Sequence, residues 1–335
     1  MAPYKDDRDY CFITTRLRTL ETQMLNHERM ELMLESSDTE EAGRILQECG
    51  YSEISDFSAE GVEAALSAER EKSFSDIAFF APDQRIVDIF RIKYDYHNAK
   101  VLLKAEALGL DSRRLLSEAG RLPARQLSQA LLTSYFIGIP LKLQYAIIEA
   151  REILGATRDP QLADSLLDRA YYAEMHELAQ QTGSIFLEDY IRVCIDAANL
   201  KSAVRSARIG KGADFLRSML HEGGTVDITR IIELMVSGSS VEDFYATTNF
   251  KEAAAVAQAV ISGESGAITE FERLTDNAVS AYLAKARFIP FGEQPVIFHL
   301  AAKEVEFTAV RIIISGLAAG TDKNTIRERL REIYV

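Results

Sequence analysis

Residues 95–109 read Asp95-Tyr96-His97-Asn98-Ala99-Lys100-Val101-Leu102-Leu103-Lys104-Ala105-Glu106-Ala107-Leu108-Gly109, that is, an acid, an amide three on, a base two later and a glycine nine after that. The skeleton returns downstream as Asp196, Asn199, Lys201 and Gly210, and more loosely as Glu306, Ala309, Arg311 and Gly320. Self-similarity over this length predicts three copies of one helical domain. On a helix, residues three apart lie about 60° apart on one face, so Asp95 and Asn98 can point inward together while Lys100 projects to another side. The expectation is that each acid and amide pair bonds a neighbouring helix inside its own domain and fixes its rotation, because burying the pair unpartnered would cost about 1–3 kcal/mol. Gly109, Gly210 and Gly320 stand where a helix can close on a left-handed residue. The motif therefore reads as architecture.

Outward from these stretches, apolar residues recur at helical spacing, and the breaks carry helix punctuation instead of hairpin turns. The chain is predicted to be all-α. Asp159-Pro160 is the clearest start, an N-cap followed by a proline in the first helical position, with the helix running to about Thr182. Gly183-Ser184 ends it and caps the next, Ile185 to Ile209; the same logic starts helices at Ser37/Asp38, Ser58, Asp83 and Asp227. Copy one is expected over 1–121, copy two over 122–226 and copy three over 227–335. No stretch is rich enough in Pro, Gly and Ser for a flexible linker, so direct packing between domains is expected.

The 335 residues are 47% apolar, enough for substantial cores. The charged start, Met1 to Asp9, lacks the apolar run of a signal peptide and predicts a cytoplasmic protein. Its longest apolar runs, near Ala253–Ile261 and Ile312–Ala319, are far short of the roughly 20 residues that cross a bilayer. A net charge of −13 disfavours nucleic acid and anionic lipid and points to basic or apolar partners. Residues 35–71 hold eleven acids against Arg44 and Arg70, whereas 192–217 hold six bases against Asp196 and Asp214. Lys201, Arg205, Arg208 and Lys211 form a candidate partner-facing patch; solvated helix faces are the plainer reading. Cys11, Cys49 and Cys194, odd in number and far apart, suit reduced thiols.

Catalytic, cofactor and metal motifs are missing. The histidines, His27, His97, His176, His221 and His299, are scattered without Glu-x-x-His or His-Glu-x-x-His spacing, and no Cys-x-x-Cys occurs. Gly210-Lys211-Gly212 lacks the phosphate-loop spacing and reads as a helix terminus; Gly263-Glu-Ser-Gly266 reads as a turn. Paired acids such as Glu40/Glu41 and Glu174/Glu177 read as solvated. No catalytic residue, cofactor or metal is expected, and the leading class is a non-enzyme.

Two stretches carry a family signature: Arg91 to Ala105, with Tyr94, Asp95, Asn98 and Lys100, and Pro290-Phe291-Gly292 followed by residues 300–311, with Glu304, Glu306 and Arg311. They resemble the C subunits of the bacterial and archaeal V/A-type rotary ATPases, whose eukaryotic counterpart is the d subunit. The resemblance implies three similar helical domains about a pseudo-threefold axis, a funnel between the central stalk of the catalytic head and the membrane proteolipid ring. It implies a rotor coupling without an active site, peripheral on the cytoplasmic face, serving ATP-linked proton or sodium transport and monomeric in isolation. Ala309, where an amide is usual, and the start at Tyr10 depart from the pattern. For Pro290-Phe-Gly the residues alone suggest a helix-breaking turn with a core phenylalanine. The alternatives are an unrelated helical-repeat adaptor and a helical enzyme built from dispersed Glu, His and Arg residues.

Overall fold

The computed structural model describes residues 6–332; residues 1–5, which open the charged start, and 333–335, the last of copy three, lie outside them. Among the described residues there are sixteen α-helices and no strand. A short α1 (Cys11–Glu21) precedes a run of four: α2 (His27–Glu35), α3 (Thr39–Glu48), α4 (Ala59–Phe80) and α5 (Gln84–Leu108). The run returns as α6 (Ala124–Thr133), α7 (Leu141–Thr157), α8 (Pro160–Thr182) and α9 (Ile185–Arg208), followed by α10 (Ala213–Met219). It returns again as α11 (Ile228–Ser237), the broken pair α12 (Val241–Tyr245) and α13 (Lys251–Ser262), then α14 (Ala267–Ala284) and α15 (Glu293–Ala318), with α16 (Lys323–Arg329) behind. Each run begins with a helix of two to three turns and ends with a long one that carries the acid of the motif.

The starts follow from local chemistry. The side chains of Asp38, Ser58, Asp159, Ser184 and Asp227 each accept a backbone N–H from the first turn of the helix they precede, and Pro160 occupies the first helical position. Each satisfies a donor that the helix itself leaves free.

The fold divides into two compact units. One is Asp88–Ser239 and holds most of α5 with α6–α11; the other comprises the described residues up to Val87 and those from Ser240 onward. In the first, α8 packs between α7 and α9, and α9 carries α10 and α11 over a core of Ala203, Leu216, Leu220, Ile231 and Ile232. In the second, α15 is the central element, packed against α1–α4, α14 and α16. Its Phe307, Val310, Ile313 and Ile314 share one core with Leu25, Met33, Leu34, Leu46 and Leu66. A helix covered on so many sides must be apolar nearly all round, which explains why α15 lacks the one-sided pattern of a surface helix. Among the described residues, no helix is long and apolar enough to cross a membrane.

Candidate functional site

The acid and amide of α5 hold the segment that leads into α6. Asp95 accepts the backbone N–H groups of Arg121 (3.0 Å) and Leu122 (3.2 Å). Asn98 accepts the N–H of Ser117 (2.8 Å) and donates to its carbonyl (2.7 Å). Both side chains are completely buried. Arg121 also donates from Nε to Asp95 (2.7 Å) and from Nη1 to Glu174 on α8 (2.9 Å), and the Tyr96 hydroxyl donates to the same Glu174 (2.8 Å). Burial holds the Asp95 carboxyl above its usual range, with the Arg121 charge pulling the other way.

The same device recurs on α9. Asp196 accepts the N–H groups of Thr225 (3.0 Å) and Val226 (3.2 Å) and the Thr225 hydroxyl, just before α11. Asn199 accepts the N–H of His221 (2.8 Å) and donates to its carbonyl (2.8 Å). Burial raises the Asp196 carboxyl as well. The His221 ring lies 4.5 Å from that of Tyr172, and burial lowers its pKa to about 4, with Arg169 and Lys100 opposing a further positive charge.

On α15 the device reaches the start of the chain. Glu306, completely buried, accepts the N–H of Leu25 (2.7 Å), 281 residues away and just before α2. Its other oxygen accepts from the Tyr51 hydroxyl (2.5 Å) and from Lys303 Nζ (2.5 Å). Burial, with the Glu306 charge beside it, raises the Tyr51 hydroxyl well above its usual pKa. Lys303 Nζ also lies over the rings of Tyr51 (4.9 Å) and Phe307 (5.2 Å), and the Arg70 guanidinium covers Phe307 at 4.8 Å while its Nε stands 3.3 Å from Glu304. Thus each long helix grips the entry to a short helix, α5 to α6, α9 to α11 and α15 to α2.

The far ends of these helices match too. Gly109, Gly210 and Gly320 have φ of 66°, 68° and 64°. In each, the glycine N–H donates to the carbonyl three back and the following N–H to the carbonyl five back, from Leu110 to Ala105, Lys211 to Ser206 and Thr321 to Gly316. This closes a helix on a left-handed residue that costs glycine least.

A gripped chain entry, repeated along nearly the whole length, is a family-scale feature, and the chain matches the ATP synthase (C/AC39) subunit family over residues 13–329. The chain belongs to that family. It is 28% identical to the V-type sodium ATPase C subunit of Enterococcus hirae, over 97% of this chain and 99% of the relative. It is 24% identical to the A-type ATP synthase C subunit of Thermococcus kodakarensis, over 97% of this chain and 91% of the relative. The C/AC39 family is an accessory subunit of the rotary ATPase and not the catalytic one, and the unrelated adaptor is set aside with the enzyme.

Within this C/AC39 frame the remaining motif residues find their places. Lys100 pairs with Asp168 of α8 at 2.5 Å, and Arg311 with Glu63 of α4 at 2.7 Å. Tyr94 is buried beneath Lys93, whose Nζ lies 5.3 Å from its ring. Arg205, Arg208 and Lys211 are exposed at the C-terminal end of α9, with Lys201 one turn further in and half-buried. Among the described residues no group of His, Cys, Asp or Glu could hold a metal ion.

Four readings need correction. The acid and amide pairs bond connecting backbone and not the face of a neighbouring helix, because a loop has free N–H and C=O groups where a helix has already used them. Glu174 is buried and held by Arg121 and Tyr96 instead of being solvated. Phe291 is 48% exposed, so Pro290-Phe-Gly292 makes its turn, with Gly292 at φ 110°, without placing the ring in the core. Ala309 is no gap in copy three. Counting back five from Leu122 and Val226 gives Ser117 and His221, the partners of the amides; counting back five from Leu25 gives Leu20. Leu20 lies inside α1, and its carbonyl accepts from Gln23, so nothing there needs an amide.

Sequence reasoning missed Gly120 and Gly224. A Cβ on either would fall inside the contact shell of the Asp95 or Asp196 carboxylate. The signal was a glycine directly before the gripped N–H, but the loop is three residues longer in the second copy, 29 against 26 from acid to N–H, and hides the match.

Proposed function

We propose that this chain is the central-stalk C subunit of a V/A-type ATPase or ATP synthase, a rotor socket between the stalk of the catalytic head and the membrane proteolipid ring. It has no chemistry to perform: it passes torque, peripheral on the cytoplasmic face, so that ATP turnover is linked to proton or sodium movement. The whole-length match to C-subunit relatives carries the reading. The three gripped junctions support it physically, since a body that transmits torque has to keep its helices in register, and buried charge-assisted hydrogen bonds resist sliding better than apolar contact alone.

In this reading the three runs of helices are three similar domains, 1–121, 122–226 and 227–335, about a pseudo-threefold axis, and the motif residues from Tyr94 to Gly320 are its joints. The exposed bases Arg205, Arg208 and Lys211 form one attachment, sensitive to salt because exposed charges are screened. Purification of the tagged chain from detergent-solubilised membranes of its source, at low and high salt, tests it by mass spectrometry. Co-recovery of ring and stalk subunits is expected; a folded bait that recovers neither overturns it.

A further inference from the structure

The turn before α15 exposes its aromatic residues on a backbone that is held still. Phe288 is 86% exposed and Phe291 48%. Beneath them, Arg18 of α1 donates from Nη2 to the carbonyls of Arg287 (3.2 Å) and Ile289 (2.9 Å), and is itself fixed by Glu21 (2.8 Å). Gly292 closes the turn, with the space of a Cβ already filled by the Gln294 amide oxygen and then by Asp7. Beside the rings stand Lys285 and Arg287, both exposed and making no ion pair among the described residues; Lys285 lies over the ring of Tyr282 (4.5 Å) and Arg287 over that of Phe288 (5.9 Å). A large ring left in water on a loop whose backbone is already held leaves only side-chain freedom for binding to cost, which is the physical profile of a binding hot spot.

The feature recurs. The passage from third to fourth helix in each run exposes at least one large apolar side chain: Phe79 at the end of α4 (80%), Ile185 at the start of α9 (76%), and Phe288 with Phe291 before α15. Around Phe79 the setting is again aromatic and cationic, with Phe80 at 4.9 Å and Arg16 over Phe80 at 4.9 Å, but Arg16 is neutralised by Asp76 (2.7 Å). Only single exposed apolar residues are common on surfaces; the same exposure at three equivalent turns is a pattern.

We propose that the 285–291 turn is a preorganised docking knob for a protein partner that offers an apolar hollow rimmed by carboxylates, in which Phe288 is the anchor and Lys285 and Arg287 the rim. The unpaired cations specify the carboxylates. The net charge of −13 favours a protein over an anionic bilayer, which would repel the rest of the chain. Repetition at Phe79, in the same compact unit, fits a partner that presents similar hollows more than once. This inference rests on the rotary-ATPase reading, because the partner is taken to be another subunit of that complex.

The test uses the full-length tagged chain in solubilised membranes of its source, comparing wild type with Phe288→Ser and with the double charge reversal Lys285→Glu, Arg287→Glu. Phe288→Ser is expected to lower recovery of one attached component at least about tenfold at every salt concentration, as loss of a buried anchor does. The charge reversal is expected to act mainly at low salt. All variants are exposed at the surface and should melt with the wild type. Phe79→Ser and Ile185→Ser should each give a smaller loss. If wild type recovers ATPase subunits and the variants recover as much, the knob is wrong and the function stands. A wild type that recovers none sinks both. Sedimentation with phosphatidylglycerol vesicles is the remaining arm: pelleting of wild type that Phe288→Ser abolishes would assign the knob to lipid and overturn the protein partner.

Discussion

The junction on α9 and the junction on α15 do one job with different chemistry. On α9 a short acid and an amide bond backbone and a hydroxyl of the loop ahead, and among the described residues no ion pair joins them. On α15 a longer acid reaches one N–H and is completed by Lys303 and Tyr51. The difference follows from covalent connection. Asp196 grips a loop that continues from its own helix, so chain connectivity has already brought the partner near. Glu306 grips a segment from the other end of the chain, where no short tether helps. A charged pair, two rings and a shared apolar core stand in its place.

The largest break in this comparison comes from removing the acid on α15. Glu306→Ala leaves the Lys303 ammonium buried without its partner, and the expected loss is about 3–5 kcal/mol, read from urea unfolding. Asp196→Ala strands backbone donors but no buried charge, and should cost about 1–3 kcal/mol. The double variant Glu306→Gln, Lys303→Met should recover much of the loss, since the stranded charge is gone. If Glu306→Ala costs no more than Asp196→Ala, the charged pair does not compensate for the missing tether.

The glycines sharpen the same contrast. Gly224→Ala forces a methyl group against the Asp196 carboxylate, which two N–H groups and a hydroxyl hold in place, and about 2–3 kcal/mol should be lost. Two residues before the gripped Leu25 the chain has Gln23, whose side chain is exposed and so lies clear of the buried Glu306. Gln23→Ala should therefore stay within about 0.5 kcal/mol, as surface changes do. Equal effects of the two substitutions in thermal melts would remove this explanation.

Ala309→Asn places an amide where copies one and two have theirs. Ala309 is buried in the core it shares with Leu25 and Met33, so the amide would be taken out of water and overfill a tight site, for about 1–3 kcal/mol. An unchanged melt for Ala309→Asn would mean that the amide finds a partner there after all.

Much of this fold was legible in the sequence. The caps at Asp38, Ser58, Asp159, Ser184 and Asp227 and the helix-closing glycines act within one turn of chain, so residue type and spacing suffice to find them. The partners of Asp95 and Asp196 lie 26 and 29 residues on and bond through backbone N–H groups, which every residue but proline carries and which leave no mark in a sequence. Tyr51 was invisible for another reason: its meeting with Glu306 depends on α15 lying against the first helices, a contact of 255 residues' separation that no local pattern encodes, whereas Lys303, three residues before Glu306 on the same helix, stands at a spacing that a sequence does show. Phe291 was misread because an aromatic residue is usually core, and only the path of the turn shows it outside.

The smallest effect separates the first junction from the second by pH. Where Asn98 holds Ser117, Asn199 holds His221, whose folded-state pKa is lowered by burial to about 4 from its usual 6.5. The folded protein therefore keeps this ring neutral where the unfolded chain takes up a proton. Its stability is intact above pH 6.5 and falls as the pH drops from 6.5 toward 4, by at most about 1.4 kcal/mol per pH unit. Asp196 works in the opposite direction: its pKa is raised, so its contribution is greatest in acid, below about pH 4, and fades as the pH climbs through the raised value. His221→Ser, which copies the first junction, should leave stability near pH 7.5 slightly reduced by the lost ring packing and flatten the decline between pH 6.5 and 5 by about 1 kcal/mol. Denaturant midpoints across that range decide it, and parallel curves for wild type and variant would show that His221 exchanges protons with water in the folded state.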